Sequence, residues 1–272
     1  MKKAIPQFLI LILFALFIFL GRYIDNWPEW TGFGEREIVD GIEPAKNLWD
    51  WLDLIMVPLI LGVVAWYLGK TEKEIDRRRE QERYQQENIN KYLDLMTNLL
   101  LKEKLKSNPE NPEVKILART QTLRLFRESD RGRKVVVLQF LFESGLIFKD
   151  PVVNLNGADL EDADLDGIIL RGVSIKGAYF SKTSLKDSKL DESDFSASDF
   201  NSANLSNSTF EGTILRYANF VNSKIRNCDL RKANLEGADF TNADLKNTHI
   251  TNEQYKLIIN KNIKHLKISV DE

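Results

Sequence analysis

From residue 155 to residue 250 a large apolar residue returns at every fifth position without interruption. The series is Leu155, Leu160, Leu165, Leu170, Ile175, Phe180, Leu185, Leu190, Phe195, Phe200, Leu205, Phe210, Leu215, Phe220, Ile225, Leu230, Leu235, Phe240, Leu245 and Ile250. Two positions before each stands a small or β-branched residue, among them Ala158, Ala163, Ala203, Ala218, Cys228, Ala233, Ala238 and Ala243, often followed by Asp or Asn. A period of five suits neither regular element. On a helix it advances the side chain by about 140° per repeat, and on a strand it alternates the faces. A chain that turns a corner every five residues keeps the whole series inside.

The aromatics give the number of corners per coil. Phe180, Phe200, Phe220 and Phe240 are twenty apart and follow Leu160 in the same column, whereas the column Leu165, Leu185, Leu205, Ile225, Leu245 has no aromatic. Four repeats therefore make one coil, and the series makes about five coils.

This A-(D/N)-(L/F)-x-x pattern resembles the pentapeptide-repeat family over roughly residues 152–250. The resemblance implies a right-handed, four-sided β-helix with the central Leu or Phe and the preceding small residue turned inward. It implies little about function. Some members of that family imitate DNA and bind DNA gyrase, and membrane-anchored members are abundant in cyanobacteria. The resemblance thus makes a plasma or thylakoid membrane the expected setting.

Hydrophobic patterning before the repeats is of another kind. Phe8 to Leu20 is an unbroken apolar run behind Lys2 and Lys3, and a second run from Leu52 to Gly69 is interrupted by Asp53 and Pro58. Each approaches the roughly 17–25 residues that cross a bilayer. Two transmembrane helices are expected, at about 5–22 and 50–69. All five tryptophans, Trp27, Trp30, Trp49, Trp51 and Trp66, fall in this segment, as interfacial aromatics do. Basic residues before the first run and after the second (Lys70, Lys73, Arg77, Arg78, Arg79), with an acidic connection between them, put both termini and the repeats on the cytoplasmic side. A cleaved signal peptide is the competing reading of the first run, although no A-x-A-like site follows Leu20.

Residues 70–108 read as a helical stalk, polar all round until Ile89, Leu93, Met96 and Leu100 appear at helical spacing. As one straight helix it would reach roughly 50 Å from the bilayer, and folding back or pairing with a second copy are the alternatives. Residues 109–150 read as a small helical cap, with helices at 113–130 and 133–145 covering the open first coil. The boundaries expected are 1–69 anchor, 70–108 stalk, 109–150 cap, 151–250 β-helix and 251–272 a C-terminal capping helix and tail. The last begins with the capping-box string Thr251-Asn-Glu-Gln254. The fold class is mixed: a transmembrane α-helical hairpin and stalk, then an all-β solenoid.

Charge and chemistry refine this picture only slightly. The chain has 272 residues, a formal net charge of −2 and one cysteine, which suits a reducing compartment. His249, His265, Cys228 and scattered hydroxyls make no convergent catalytic set, and no Gly-rich phosphate loop or zinc spacing occurs. No enzyme activity and no cofactor are expected. Asp162-Ala-Asp164-Leu-Asp166-Gly167 matches the first half of a calcium loop, but position twelve is Val173. The repeat region holds fifteen acids and eleven Lys or Arg, a net of −4 that imitates a phosphate backbone poorly. Lys115, Arg119, Arg124, Arg127, Arg131, Arg133 and Lys134 suggest a solvated or lipid-facing basic surface rather than a nucleic-acid site. The expectation is a non-catalytic, membrane-anchored scaffold with a cytoplasmic protein partner and self-association through stalk or spans. The alternatives are a membrane effector controlled by the rod and a topoisomerase-binding DNA mimic.

Overall fold

The computed structural model describes residues 48–106, 112–259, 263 and 267–269, with side chains in the first helix from Pro58 onward. The expected span at 5–22, Trp27, Trp30 and His265 lie outside the described residues. Two compact units divide at Glu80 and Gln81. Helix α1 runs Leu48–Leu101 and contains Pro58. It is followed by α2 (Pro112–Glu128) and α3 (Arg131–Glu143). The C-terminal end carries β1 (His249–Thr251), α4 (Asn252–Leu257) and β2 (Lys267–Ser269).

In the first unit, α1 exposes Leu59, Ile60, Leu61, Trp66, Tyr67 and Leu68. Consecutive residues of a helix point to different sides, so this stretch is apolar around its circumference. No helix among the described residues is long and apolar enough to cross a membrane. The second expected span, 50–69, lies on α1, which carries Trp49 and Trp51 and has Trp66 exposed at its far end.

The second unit starts within α1, and here the chain takes the folded-back alternative for the end of the stalk. Ile89, Tyr92, Met96 and Leu99 are buried, at spacings of three and four that put them on one face. Tyr92 donates from its hydroxyl to Thr122 Oγ1 at 2.9 Å, and Thr122 passes the bond to the Ala118 carbonyl at 2.7 Å. Its ring meets Phe140 edge-on, with centroids 6.2 Å apart. Gln85 reaches the Glu128 carbonyl at 2.8 Å. The apolar seam is thus occupied by α2 and α3 of the same chain. On α2 the buried residues include Ala118, Leu125 and Phe126, whereas Leu117 is 41% exposed. Asp130 caps α3 by accepting from the Arg133 backbone N–H.

Beyond α3 the chain coils. Parallel bridges join residues twenty apart, as in Asp159↔Tyr179, Tyr179↔Asp199, Asp199↔Asn219 and Asn219↔Asp239, so four repeats make a turn. The backbone of one side shows how five residues satisfy their polar groups. Phe180 N–H donates forward to the Asp199 carbonyl at 2.7 Å, Tyr179 N–H donates back to Ala158 at 2.9 Å, and Thr183 N–H closes the corner on Phe180 at 3.1 Å. Lys182 N–H, from the corner itself, donates to Asn201 at 2.9 Å. No buried amide is wasted on the turn.

The corner requires a left-handed residue two positions after the central one. Asn207, Asn222, Asn227, Asn242 and Asn247 occupy it, residues whose short amides tolerate that conformation, but so do Lys182, Glu192, Ala197 and Tyr217. Gly237 has a second reason to be glycine, because the Tyr217 ring lies across the space a Cβ would fill.

All twenty fifth-position residues are buried. Phe180, Phe200, Phe220 and Phe240 stack in one column with centroids 4.8, 5.0 and 4.8 Å apart and planes within 12°. That separation is the distance between hydrogen-bonded strands, so the ring spacing is set by the backbone ladder. The residue two before each centre is inward too. Thr183, Ser188, Ser198 and Thr213 there donate hydroxyls to the carbonyls of Leu160, Leu165, Ile175 and Leu190 in the coil before, at 2.7–3.0 Å. Ala, Ser, Thr and Cys suit a site of little volume where these hydroxyls have an acceptor in place, although Ser223 there finds none and Ile168 and Val173 also fit.

Candidate interaction surface

A β-helix presents two kinds of surface, its ends and its sides. At the first coil, carbonyls that would receive N–H groups from a preceding coil have none. Basic side chains of the helical cap take that role. Arg119 donates to the Asn156 carbonyl at 2.9 Å and Lys134 to Glu161 at 3.0 Å, and Arg131 adds a bond to the corner carbonyl of Asp162 at 2.6 Å. Lys134 also binds the Asp159 carboxylate at 3.0 Å while its side chain is only 7% exposed. The orphan amides are met in turn, since Asp164 N–H donates to Arg131 and Ser174 N–H to Ile147.

This corrects in part the reading of residues 115–134 as a solvated or lipid-facing basic surface: Lys134 is buried, whereas Arg124, Arg127 and Arg131 stay exposed. Of its seven cations, Arg119, Arg131 and Lys134 hold the coil edge, Arg124 pairs with Glu128, and Arg133 pairs with Asp130. Sequence alone could not see this because the acceptors are backbone atoms, which every residue carries. At the other end Thr251 and Gln254 form the capping box of α4. The Gln254 amide nitrogen also turns into the last coil, reaching the carbonyls of Leu230 at 2.6 Å and Ala233 at 2.7 Å. The capping motif was legible, but this second role was not.

The sides carry the residues that remain outward, and they are cross-linked from coil to coil. Eight of the eleven repeat-region cations pair with acids, seven of them between coils: Lys182 with Glu161, Lys186 with Asp166, Arg171 with Asp191, Lys176 with Asp194, Arg216 with Glu236, Arg226 with Asp244 and Lys232 with Glu211, while Arg231 pairs with Asp229 inside one coil. Arg131 and Lys134 add pairs to Asp162 and Asp159. Ten of the fifteen acids are thereby matched by a cation. On one corner the side chains of Asp187, Asn207, Asn227 and Asn247 form an amide ladder, each link 2.9–3.0 Å.

The most enclosed carboxylate is Asp191, 3% exposed. It accepts from Arg171, from the Thr209 hydroxyl at 2.8 Å and from the Glu211 backbone N–H at 2.9 Å. Burial pushes its pKa up, but these donors outweigh that and hold it below the ordinary carboxylate value. Asp166 and Asp194 behave likewise: burial opposes, and donors from Lys186 with Ser184, and from Ser196 with Lys176, prevail. For Asp229 the Arg231 hydrogen bond is itself the largest influence and lowers it.

The chemically suggestive residues are dispersed. Burial pushes the Cys228 thiol up to about 11, and its sulfur faces the Leu205 carbonyl at 3.2 Å, the position hydroxyls hold elsewhere. His249 lies on β1, bridged to Asp229 in the coil before. Asp162 faces Arg131, Asp166 faces Lys186 and Ser184, and Val173 is buried, so the calcium-like string points to separate partners. No group of three or more His, Cys, Asp or Glu suited to a metal occurs among the described residues.

Comparison with known proteins agrees with the repeat geometry. Residues 153–187 match pentapeptide repeats in an eight-copy description, and residues 192–257 match the pentapeptide repeat region. Solved structures similar to the chain include the pentapeptide-repeat protein Rfr23 from the cyanobacterium Cyanothece 51142, at 17% identity. The match covers 42% of this chain and 88% of that one, with a TM-score of 0.25. HetL, a pentapeptide-repeat protein involved in heterocyst differentiation regulation in the cyanobacterium Nostoc, is 23% identical. That match covers 41% of this chain and 59% of the other, with a TM-score of 0.23. QnrB1, a plasmid-mediated fluoroquinolone resistance protein, is 22% identical over 44% of this chain and 82% of its own, with a TM-score of 0.25. No curated protein matches the chain.

Proposed function

We propose that this pentapeptide-repeat protein is a non-catalytic scaffold, held to a membrane by its N-terminal segment, whose β-helix sides bind a protein partner on the cytoplasmic side. The observation that carries the scaffold reading is the coil-to-coil locking of the outward residues by ion pairs and amide ladders. Side chains already fixed in the free protein lose little conformational entropy on binding, which favours a partner that reads their pattern. The membrane reading is supported by the sequence from Leu52 to Gly69 and by the aliphatic and aromatic side chains that α1 exposes around its circumference between Leu59 and Leu68.

Imitation of DNA is disfavoured by the same ion pairs. A phosphate-like surface needs rows of uncompensated negative charge, and ten of the fifteen acids here face a cation. The test is a crosslinking pulldown from native membranes with the full chain, beside a variant whose outward residues on two sides are replaced and whose fifth-position residues are kept. A specific partner captured by the wild type and lost by the variant is the expected result. Equal capture by both, or no specific partner, overturns the scaffold reading.

A further inference from the structure

Among the described residues of the first unit, one row of cations on α1 enters no ion pair. Lys70, Lys73 and Arg77 are all exposed, and at about 100° per residue they fall within about 60° of one another around α1. Trp66, one turn earlier, lies in the same sector, with the Lys70 ammonium 5.5 Å from its ring centroid. Arg79, on another side, pairs with Asp76 at 3.8 Å. None of the three enters an ion pair among the described residues. Glu74, Asp76 and Glu80 border the row, with Asp76 engaged by Arg79, while Glu72 projects from the far side.

The order along the helix matters as much as the sector. The cations begin directly after the apolar stretch Leu59–Leu68, and the aromatic ring sits between the two chemistries. Apolar body, indole, then ammonium and guanidinium is the sequence of environments from hydrocarbon through headgroups to water. An acidic protein would have no reason to require the apolar stretch beside it, whereas a lipid surface meets both parts at once.

We propose that Trp66, Lys70, Lys73 and Arg77 form a site for anionic lipid headgroups, with the phosphates ranged along the cations and the indole at the headgroup level. The site rests on the membrane reading given above and sharpens it to a lipid class. The bordering glutamates limit the gain, so the expected selectivity is about three- to tenfold rather than the roughly hundredfold that three cations at about 1 kcal/mol each would allow.

The full chain is reconstituted into phosphatidylcholine vesicles containing about one third phosphatidylglycerol, repurified in mild detergent, and the lipids carried along are quantified. Wild type is expected to carry phosphatidylglycerol about three- to tenfold above its share of the mixture. Lys70→Gln/Lys73→Gln/Arg77→Gln and a 1 M salt wash return it to that share, and Lys70→Arg/Lys73→Arg keeps it enriched. Wild type carrying the bulk ratio, or the triple Gln variant staying enriched, overturns the site. Extraction of wild type from pure phosphatidylcholine vesicles at alkaline pH overturns the anchoring instead, so the two failures are distinct. Matching circular dichroism spectra of wild type and variant show that the exposed substitutions leave the helix intact.

Discussion

Leucine has opposite fates in the two units. In the β-helix Leu155, Leu185, Leu205 and Leu245 are essentially without solvent contact, whereas Leu59, Leu61 and Leu68 on α1 are 47–63% exposed. The residue is the same, so its hydrophobicity does not decide burial. Position relative to a closing backbone does. In the coil every fifth residue must point inward because the corner returns the chain by the same angle each time. A single helix has no inside, and its apolar residues stay uncovered within their own unit.

If that difference is real, substitutions of comparable chemistry must separate widely in their effects. Phe200→Asp should be the most damaging, since the ring is stacked between Phe180 and Phe220 and a carboxylate there has no donor. Loss of about 3–5 kcal/mol from the ring alone, before the charge is counted, should abolish the cooperative thermal melt of the repeat domain. A melt unchanged from wild type in circular dichroism would falsify the closed-coil account.

Gln254→Ala tests whether the C-terminal end needs its cap. Its amide serves the carbonyls of Leu230, which also accepts from the Ala233 N–H, and of Ala233, and leaving the latter without a donor should cost about 1–3 kcal/mol. Chemical denaturation should show a lower midpoint with an unaltered slope.

Acid should loosen the coil through carboxylates whose pKa values are depressed in the fold: Asp166, Asp191, Asp194 and Asp229. Such groups add stability that is complete above the unfolded-state value, about 3.9 for Asp, and is lost as pH falls through the lower folded values. Stability should therefore be flat near neutrality and decline below about pH 4. Asp191→Asn should make the decline shallower, and an equally steep decline in the variant would show that this carboxylate carries none of it. The smallest effect belongs to the other unit: Leu61→Ser should leave the melt of the repeat domain within about 0.5 kcal/mol of wild type.

Sequence reading succeeded where one rule repeats. The five-residue period and the twenty-residue aromatic spacing, carried by Phe180, Phe200, Phe220 and Phe240, were enough to number the corners, and the small residues before each centre marked the second inward position. It also found the Thr251–Gln254 box. It left the second half of α1 open, because Ile89 and Met96 are compatible with a seam facing either another copy or the cap of the same chain. In the basic run at 115–134 it missed the contacts to the first coil, because Lys134 looks identical in sequence whether it faces water or the open carbonyls of a β-helix edge.

The amino-acid sequence by itself therefore determined the side that each repeat residue faces, since a corner every five positions leaves no freedom in that choice. Only the tertiary structure decided which cations close the first coil, which carbonyls Gln254 serves, and which acids are neutralised twenty residues away. Those choices depend on backbone groups and distances between coils, and they exist only once the chain has wound onto itself.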